Sequence, residues 1–278
     1  ITNGLLGDGA DITNVLVGGV SAVIVTQGAS WVSILVPSGP SNTVDIVVQS
    51  ASQGNRTLSQ SYRYNPPGWI GVNPVCGWTG MGSGMNWPVY ALALGTNGAV
   101  YAGGSFWSAG GVSANCIAKW NGSTWTNLGS GMNSDVYALA LGTNGDLYAG
   151  GWFTWAGAGS ANRVAKWNGS MWSSLGSGMN TTVRALAVGT NGELYAGGDF
   201  TNAGGVSASY VAKWNGSTWT NLGTGMSGSV YALAVGTNGE LYAGGSFATA
   251  GGVSANYIAK WNGSTWTNLG SGMNGPVY

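Results

Sequence analysis

The tetrapeptide Ala-Lys-Trp-Asn ends at Asn121, Asn168, Asn215 and Asn262, at a constant step of 47 residues. A chain that copies itself this closely must fold as an array of equivalent units, each burying its apolar face against its neighbours. It also argues against a conventional one-site enzyme, since every unit brings nearly the same side chains to the same places.

One copy shows the local plan. Val136-Tyr-Ala-Leu-Ala-Leu141 is a short apolar run, followed by Gly142-Thr-Asn-Gly145 and then Leu147-Tyr-Ala-Gly-Gly-Trp-Phe153. A loop of small residues leads to Arg163-Val-Ala-Lys-Trp167, then Asn168-Gly169 and Met171-Trp-Ser-Ser-Leu175. Asn-Gly between apolar runs is a strong hairpin signal, and no stretch has a helical period. Each copy therefore reads as four short strands, A to D, with tight A–B and C–D turns. Four strands per unit and a period in the forties predict an all-β chain whose repeats are blades of a β-propeller. Side-chain size agrees. Strands A and B carry Ala138, Ala140, Ala149, Gly150 and Gly151, and strands C and D carry Trp167 and Trp172, as a wedge that widens outward requires.

Full copies span 88–133, 135–180, 182–227 and 229–274. Trp69-Ile70 lies one period before Cys116-Ile117, Trp78 lies one period before Trp125, and Gly275-Pro-Val-Tyr278 begins another strand A. A ring usually closes by building one blade from both ends. Residues 67–278 are thus expected to form a five-bladed propeller whose fifth blade lacks most of strand A and all of strand B. On this reading the chain is a piece of a longer one, or another chain supplies the missing strands.

Residues 1–66 lack the repeat. Apolar runs at Asp11–Val17, Ala22–Val25, Trp31–Val36, Val44–Val48 and Leu58–Tyr64, punctuated by Pro37, Gly39, Gly54 and Pro66-Pro67-Gly68, predict a small β-sandwich. The segment from Leu5-Leu-Gly-Asp-Gly-Ala through Asp11-Ile-Thr-Asn-Val-Leu-Val-Gly-Gly19, with Val36-Pro37 and Ser61-Tyr-Arg-Tyr64, resembles an IPT/TIG domain. That resemblance implies an immunoglobulin-like fold whose opening strand is missing. The repeats in turn resemble the Trp- and Gly-rich propellers of large cell-surface proteins, including the fungal cortical polarity-marker type. Both resemblances imply display and adhesion outside the cell, and neither carries catalytic residues to transfer.

Charged residues make up 6% of the chain and the net charge is zero. This excludes electrostatic recognition of nucleic acid or of an anionic membrane, and no apolar run is long enough to insert in a bilayer. Solubility with so few charges points to glycans. Asn-X-Ser/Thr sequons stand at Asn55, Asn121, Asn168, Asn180, Asn215 and Asn262, four of them in C–D turns. The other reading of those four is that Asn-Gly is a favoured turn dipeptide. Cys76 and Cys116 are a candidate disulfide in a secreted chain, although the repeat register sets them toward opposite ends of neighbouring blades.

Histidine is absent, which removes the commonest general base and metal ligand. Asp146, Glu193 and Glu240 hold one turn position in successive blades and read as solvated carboxylates. Lys119, Lys166, Lys213 and Lys260 read as stems lying over aromatic neighbours. No nucleophile, phosphate-loop, metal or cofactor motif is present, so neither catalysis nor a cofactor is expected.

Propeller geometry puts the D–A and B–C loops on one face and both hairpin turns on the other. The copies differ on the loop face, at Trp87, Trp107, Trp155, Arg163, Tyr210 and Tyr257, which form the candidate contact surface. The expected function is a structural or adhesive subunit of a surface or fibre. It would be held by protein contacts, including copies of itself through strand complementation. A glycan-binding lectin is the alternative; it needs aromatic residues with polar partners repeated from blade to blade.

Overall fold

The computed structural model describes residues 12–28, 31–35, 43–50, 54–63, 80–95 and 97–278. Every described regular element is a strand. The chain divides into two compact units, Ile1–Trp78 and Thr79–Tyr278. The boundary read at 66/67, and the strands expected around Trp69 and Trp78, fall outside the described residues.

In the first unit β1 (Ile12–Val17), β2 (Val20–Gly28), β3 (Trp31–Leu35), β4 (Thr43–Ser50) and β5 (Gly54–Arg63) follow the five apolar runs. Gly18 and Gly19, with φ of 60° and 81°, make the two-residue turn between the paired Val17 and Val20. Two positive φ values in succession are what a type I′ hairpin needs. Where two facing sheets were expected, the described strands make one antiparallel sheet in the order β3-β2-β1-β4-β5, because β1 pairs with both β2 and β4. Val15, Val17, Ile46 and Val48 are buried on one of its faces.

The second unit is a β-propeller with four full four-stranded blades among the described residues. Blade 1 has strands A Val89–Leu94, B Val100–Gly104, C Ile117–Trp120 and D Trp125–Asn127. Blade 2 has Val136–Leu141, Leu147–Gly151, Val164–Trp167 and Trp172–Ser174. Blade 3 has Val183–Val188, Leu194–Gly198, Val211–Trp214 and Trp219–Asn221. Blade 4 has Val230–Val235, Leu241–Gly245, Ile258–Trp261 and Trp266–Asn268.

Both hairpin turns follow from sequence chemistry. In the A–B turn Gly145 N–H donates to Gly142 O at 3.0 Å and Gly142 N–H donates to Asp146 O at 2.7 Å. Gly145 sits at φ 86°, so this is a turn closed by a glycine bulge. In the C–D turn Asn121 is not one of the two central residues. It is the first residue, and its Oδ1 accepts the N–H groups of Ser123 and Thr124, both at 2.9 Å. Gly122, the first central residue, has φ 101°, the arrangement of a type II′ turn.

Blades meet through glycine and tryptophan. A methyl group on Gly150 would fall 2.5 Å from Val183 Cγ1, and one on Gly197 equally close to Val230 Cγ1. The first Gly of each Ala-Gly-Gly is therefore the seat for the next blade's leading Val, which is fully buried at 136, 183 and 230. The second Gly lies against its own strand A: a Cβ on Gly151 would overlap the Asp135 carbonyl. Farther out, each strand D indole donates to the preceding blade, from Trp172 Nε1 to Leu128 O, Trp219 Nε1 to Leu175 O and Trp266 Nε1 to Leu222 O, each at 2.9 Å. The indole also packs tilted on the strand C Trp of its own blade, with ring centroids 5.3 Å apart for Trp214 and Trp219.

Trp219→Phe keeps an aromatic ring but strands the buried Leu175 carbonyl. It should lower propeller stability by about 1–3 kcal/mol, read as a shifted urea midpoint at unchanged slope. A midpoint equal to the wild type would remove the indole–carbonyl bond from the forces that join blades.

Candidate functional site

The loop face is built by a clasp between successive blades. The D–A loop residue Met132 bridges Ala156 in the B–C loop that follows. Beside it Asn133 Oδ1 accepts the N–H groups of Thr154 and Trp155, both at 2.9 Å. Asn86, Asn180 and Ser227 make the same clasp in the other blades. The sequon at Asn180 thus belongs to this structural link, with Nδ2 also donating to Thr201 Oγ1 at 3.0 Å.

At the mouth of the central axis on this face the structure assembles a site that the sequence reading missed. Strand A of every full blade shifts register after its first residue, between Val89 and Ala91, Val136 and Ala138, Val183 and Ala185, and Val230 and Ala232. The residue inside each irregularity is Tyr90, Tyr137, Arg184 or Tyr231, and bulges of this kind re-aim a side chain. Together with Tyr278, the equivalent residue one period on, these four line a funnel of about 310 Å³. Tyr231 and Tyr278 stack with centroids 5.1 Å apart, Tyr90 and Tyr137 lie at 5.5 Å, and the Arg184 guanidinium sits 5.4 Å from the Tyr231 ring. The sequence signal was available: a lone Tyr, or Arg, at the second position of an otherwise small and aliphatic strand, recurring at the repeat step.

A ring of polar partners surrounds the funnel. Arg184 donates from Nε to both Asp199 oxygens at 2.9 Å, and its Nη2 lies 2.8 Å from Asp199 Oδ2. Burial alone would push the Asp199 carboxyl up, but hydrogen bonds from Arg184, Ser229 and Thr182 and the guanidinium charge hold it below its ordinary value. Tyr137 Oη donates to Asp135 Oδ2 at 3.1 Å, and burial, followed by that bond, raises the phenol above its usual pKa. Ser105 Oγ donates to Tyr90 Oη at 3.3 Å.

The predicted contact residues separate into local groups. Trp87 and Trp107 are each 55% exposed, with centroids 5.6 Å apart. Trp155 is exposed on the next B–C loop. Arg163 stacks over Trp152, 4.1 Å from its ring, and Trp152 is a second exposed indole that the sequence reading passed over. Arg163, Tyr210 and Tyr257, with Cys116, occupy one corner of successive blades at φ of 67°, 67°, 65° and 61°. All four are half-buried. Burial, then the nearby Asp135 charge, pushes the free Cys116 thiol up to about 11. Its candidate partner Cys76 lies outside the described residues.

The hairpin face corrects two expectations. The turn carboxylates and the strand C lysines bind one another: Lys166 to Asp146 at 3.1 Å, Lys213 to Glu193 at 2.9 Å and Lys260 to Glu240 at 2.8 Å. Only in blade 1, where Ala99 replaces the acid, does Lys119 lie over an aromatic ring, 5.5 Å from the Tyr101 centroid. These pairs are partly exposed and contribute little each. Asn121, Asn168, Asn215 and Asn262 are exposed and cap the C–D turns through Oδ1. The turn alone therefore accounts for Asn-Gly there. Asn55 lies on β5, paired with Gln49. Among the described residues no group of three or more His, Cys, Asp or Glu is placed to hold a metal ion, and no helix is long and apolar enough to cross a membrane.

Residues 165–277 match the family model of the Rax2 C-terminal beta propeller domain, under half of the chain. No curated protein matches. Among solved structures, the chain is similar to a catalytically inactive virginiamycin B lyase from Staphylococcus aureus. Identity is 13% and the TM-score 0.44, covering 68% of this chain and 58% of that one. It is also similar to the extracellular domain of a putative one component system from B. thetaiotaomicron, at 10% identity and TM-score 0.41, covering 81% and 31%. The computationally designed Ika4 protein matches at 22% identity and TM-score 0.41, covering 65% and 94%. This chain thus spans little more than half of the lyase and about a third of that extracellular domain, and the activities named in those descriptions remain theirs.

The Arg184–Asp199 pair carries a pH signature. A carboxyl whose folded pKa is depressed adds stability above its unfolded value, and that stability is lost as pH falls through the folded value. Below about pH 4 the wild type should lose up to about 1 kcal/mol that Asp199→Asn does not lose. Paired denaturation curves at pH 6 and pH 3 measure this, and the difference between the two proteins cancels Glu193 and Glu240, which are also depressed. Parallel losses in both proteins would remove the pair from the account.

Proposed function

We propose that this is a non-enzymatic extracellular or cell-surface recognition module, structural or adhesive, that meets its partner through the loop face of the propeller. The observation that carries the reading is spatial. The exposed Trp87, Trp107 and Trp155 and the axial ring of Tyr90, Tyr137, Arg184, Tyr231 and Tyr278 stand on one face, while the hairpin face repeats one self-satisfied ion pair. Clustered indoles are what a protein contact uses as anchors. The partner is a protein, including copies of this chain in a fibre. The similarity of residues 165–277 to the Rax2 propeller domain supports display outside the cell.

Five ring positions around one funnel support a five-bladed propeller. The Leu5–Gly19 resemblance favours an immunoglobulin-like first unit, and the single sheet of its described strands stands against it. A second reading, glycan binding, is favoured by the funnel itself. It supplies the repeated aromatic with neighbouring polar groups, Ser105, Asp135 and Asp199, that a lectin requires. C–D turn sequons would decorate the opposite rim.

Trp87→Ser combined with Trp107→Ser leaves the clasp backbone intact and should reduce self-association or attachment to native surfaces by roughly tenfold or more. Mass photometry and electron microscopy of both proteins measure it. Unchanged assembly in a folded double variant would overturn the loop-face reading. A glycan array probed with wild type and Tyr137→Ala tests the second reading, which fails if no saccharide distinguishes them.

A further inference from the structure

The charges around the axial funnel do not cancel. Arg184 is held by Asp199 through Nε and Nη2, so that pair is neutral as a unit. Asp135 is half-buried, and among the described residues no cation pairs with it. Its carboxylate accepts instead from the neutral Tyr137 hydroxyl, at 3.1 Å. Pro88, Thr182, Ser229 and Pro276 hold the equivalent position in the other copies, so the blade itself does not need an acid there. The field of Asp135 reaches its neighbours. Burial comes first in raising both the Tyr137 phenol and the Cys116 thiol, and the Asp135 charge adds to it at each. The Arg184 charge opposes it at Tyr137 and is the weakest of the influences on that phenol.

The aromatic lining divides in the same way. The Arg184 guanidinium lies 5.4 Å from the Tyr231 ring, which also stacks on Tyr278 at an angle of 4°. One side of the funnel therefore already carries its own cation. On the other side Tyr90 and Tyr137 stand 5.5 Å apart, tilted by 46°. Among the described residues no cation lies over either ring. Tyr90, Asp135 and Tyr137 belong to the junction of blades 1 and 2, both of which are full.

We propose that this corner of the funnel binds an organic cation with an N-methylated ammonium head. A cation within about 6 Å of a Tyr centroid is attracted by the ring face, and Asp135 supplies the missing counter-charge beside it. Methyl groups on nitrogen spread the charge without adding N–H donors that need acceptors, whereas a bare ammonium is a compact, strongly hydrated charge that is costly to strip of water. The volume of about 310 Å³ is at the small end of ligand clefts and suits a head group. This inference goes beyond the loop-face and glycan readings, because it rests on ring and charge placement in the funnel and not on the exposed indoles.

The test titrates choline chloride into the full chain at fixed ionic strength, read by calorimetry and by magnetisation transfer to the N-methyl protons. A short peptide carrying trimethyllysine is the second probe. The control is the neutral carbon isostere of choline, in which tert-butyl replaces trimethylammonium. The expected result is saturable one-to-one binding of choline with a Kd of about 1 mM or tighter. Binding should be at least about tenfold weaker for the isostere, and for choline with Asp135→Asn or Tyr137→Ala. Asp135→Asn keeps an acceptor for the Tyr137 hydroxyl, so its loss reports charge and not folding. Tyr137→Phe keeps the ring and the carboxylate and should bind choline at least as well as the wild type, whereas a saccharide site that uses the hydroxyl would weaken. Tighter binding of the peptide than of choline assigns the cation to a protein side chain; equal or weaker binding assigns it to a small molecule or a lipid head group. Equal affinity for choline and its isostere, wild-type binding by Asp135→Asn, or no saturable binding of either probe would each overturn the proposal. Saccharide binding and loop-face assembly are read separately, so either can fail with this site intact, and this site can fail with them intact.

Discussion

The propeller depends on what one blade does to the next. A buried Val sits where only Gly leaves room, and an indole N–H farther out reaches the preceding blade's carbonyl. These contacts act at the two radii where a wedge would otherwise pivot, near the axis and near the rim. With charged residues at 6% of the chain, stability has to come from this apolar contact and from satisfied backbone groups. Ion pairs as exposed as those on the hairpin face add little. Stability then accumulates junction by junction, as in other repeat arrays, and a blade without a neighbour exposes its leucines.

Repetition also sorts positions by their freedom. Residues that form the junction do not vary between copies: the first and second Gly of strand B, the buried Phe at 106, 153, 200 and 247, and the strand D Trp. One loop-face stripe varies instead. Positions 105, 152, 199 and 246 are Ser, Trp, Asp and Ser. The first three find different partners in Tyr90, Arg163 and Arg184. The same backbone geometry thus presents three chemistries across four blades, beside the funnel or the loops that surround it.

The strand plan and the two turns were legible because period and Asn-Gly placement report local geometry directly. The axial ring was not, because alternation assigns Tyr137 to a strand face, and only the register shift between Val136 and Ala138 turns it toward the axis. The Lys166–Asp146 pair was missed for a related reason. The two residues belong to separate sequence features, a strand and a turn, and they meet only through the pairing of strands B and C, where Tyr148 stands opposite Lys166. Asn180 matched a sequon, yet its amide is committed to Thr201 across the clasp. Motifs of a few residues carry no information about partners that tertiary structure brings from a neighbouring blade.

Backbone strain points to the same face. Cys116, Arg163, Tyr210 and Tyr257 adopt a left-handed conformation that costs a non-glycine residue on the order of 1 kcal/mol or more. The conformation is imposed by two backbone bonds at each corner; Arg163, for example, donates to Phe153 O at 2.8 Å and accepts from Gly151 N–H at 2.9 Å. Glycine would satisfy both bonds without strain, and this chain uses 52 glycines, many of them at positive φ. Yet all four corners carry side chains, three of them large. The bonds explain the backbone, and the side chains serve the fold as well: Cys116 and Tyr210 pack against the core, and Arg163 Nη1 donates to the Trp152 and Phe153 carbonyls. All four corners also stand on the loop face, where Arg163 lies over the exposed Trp152 indole. These strained corners thus share a surface with the positions that vary between copies at 105, 152, 199 and 246.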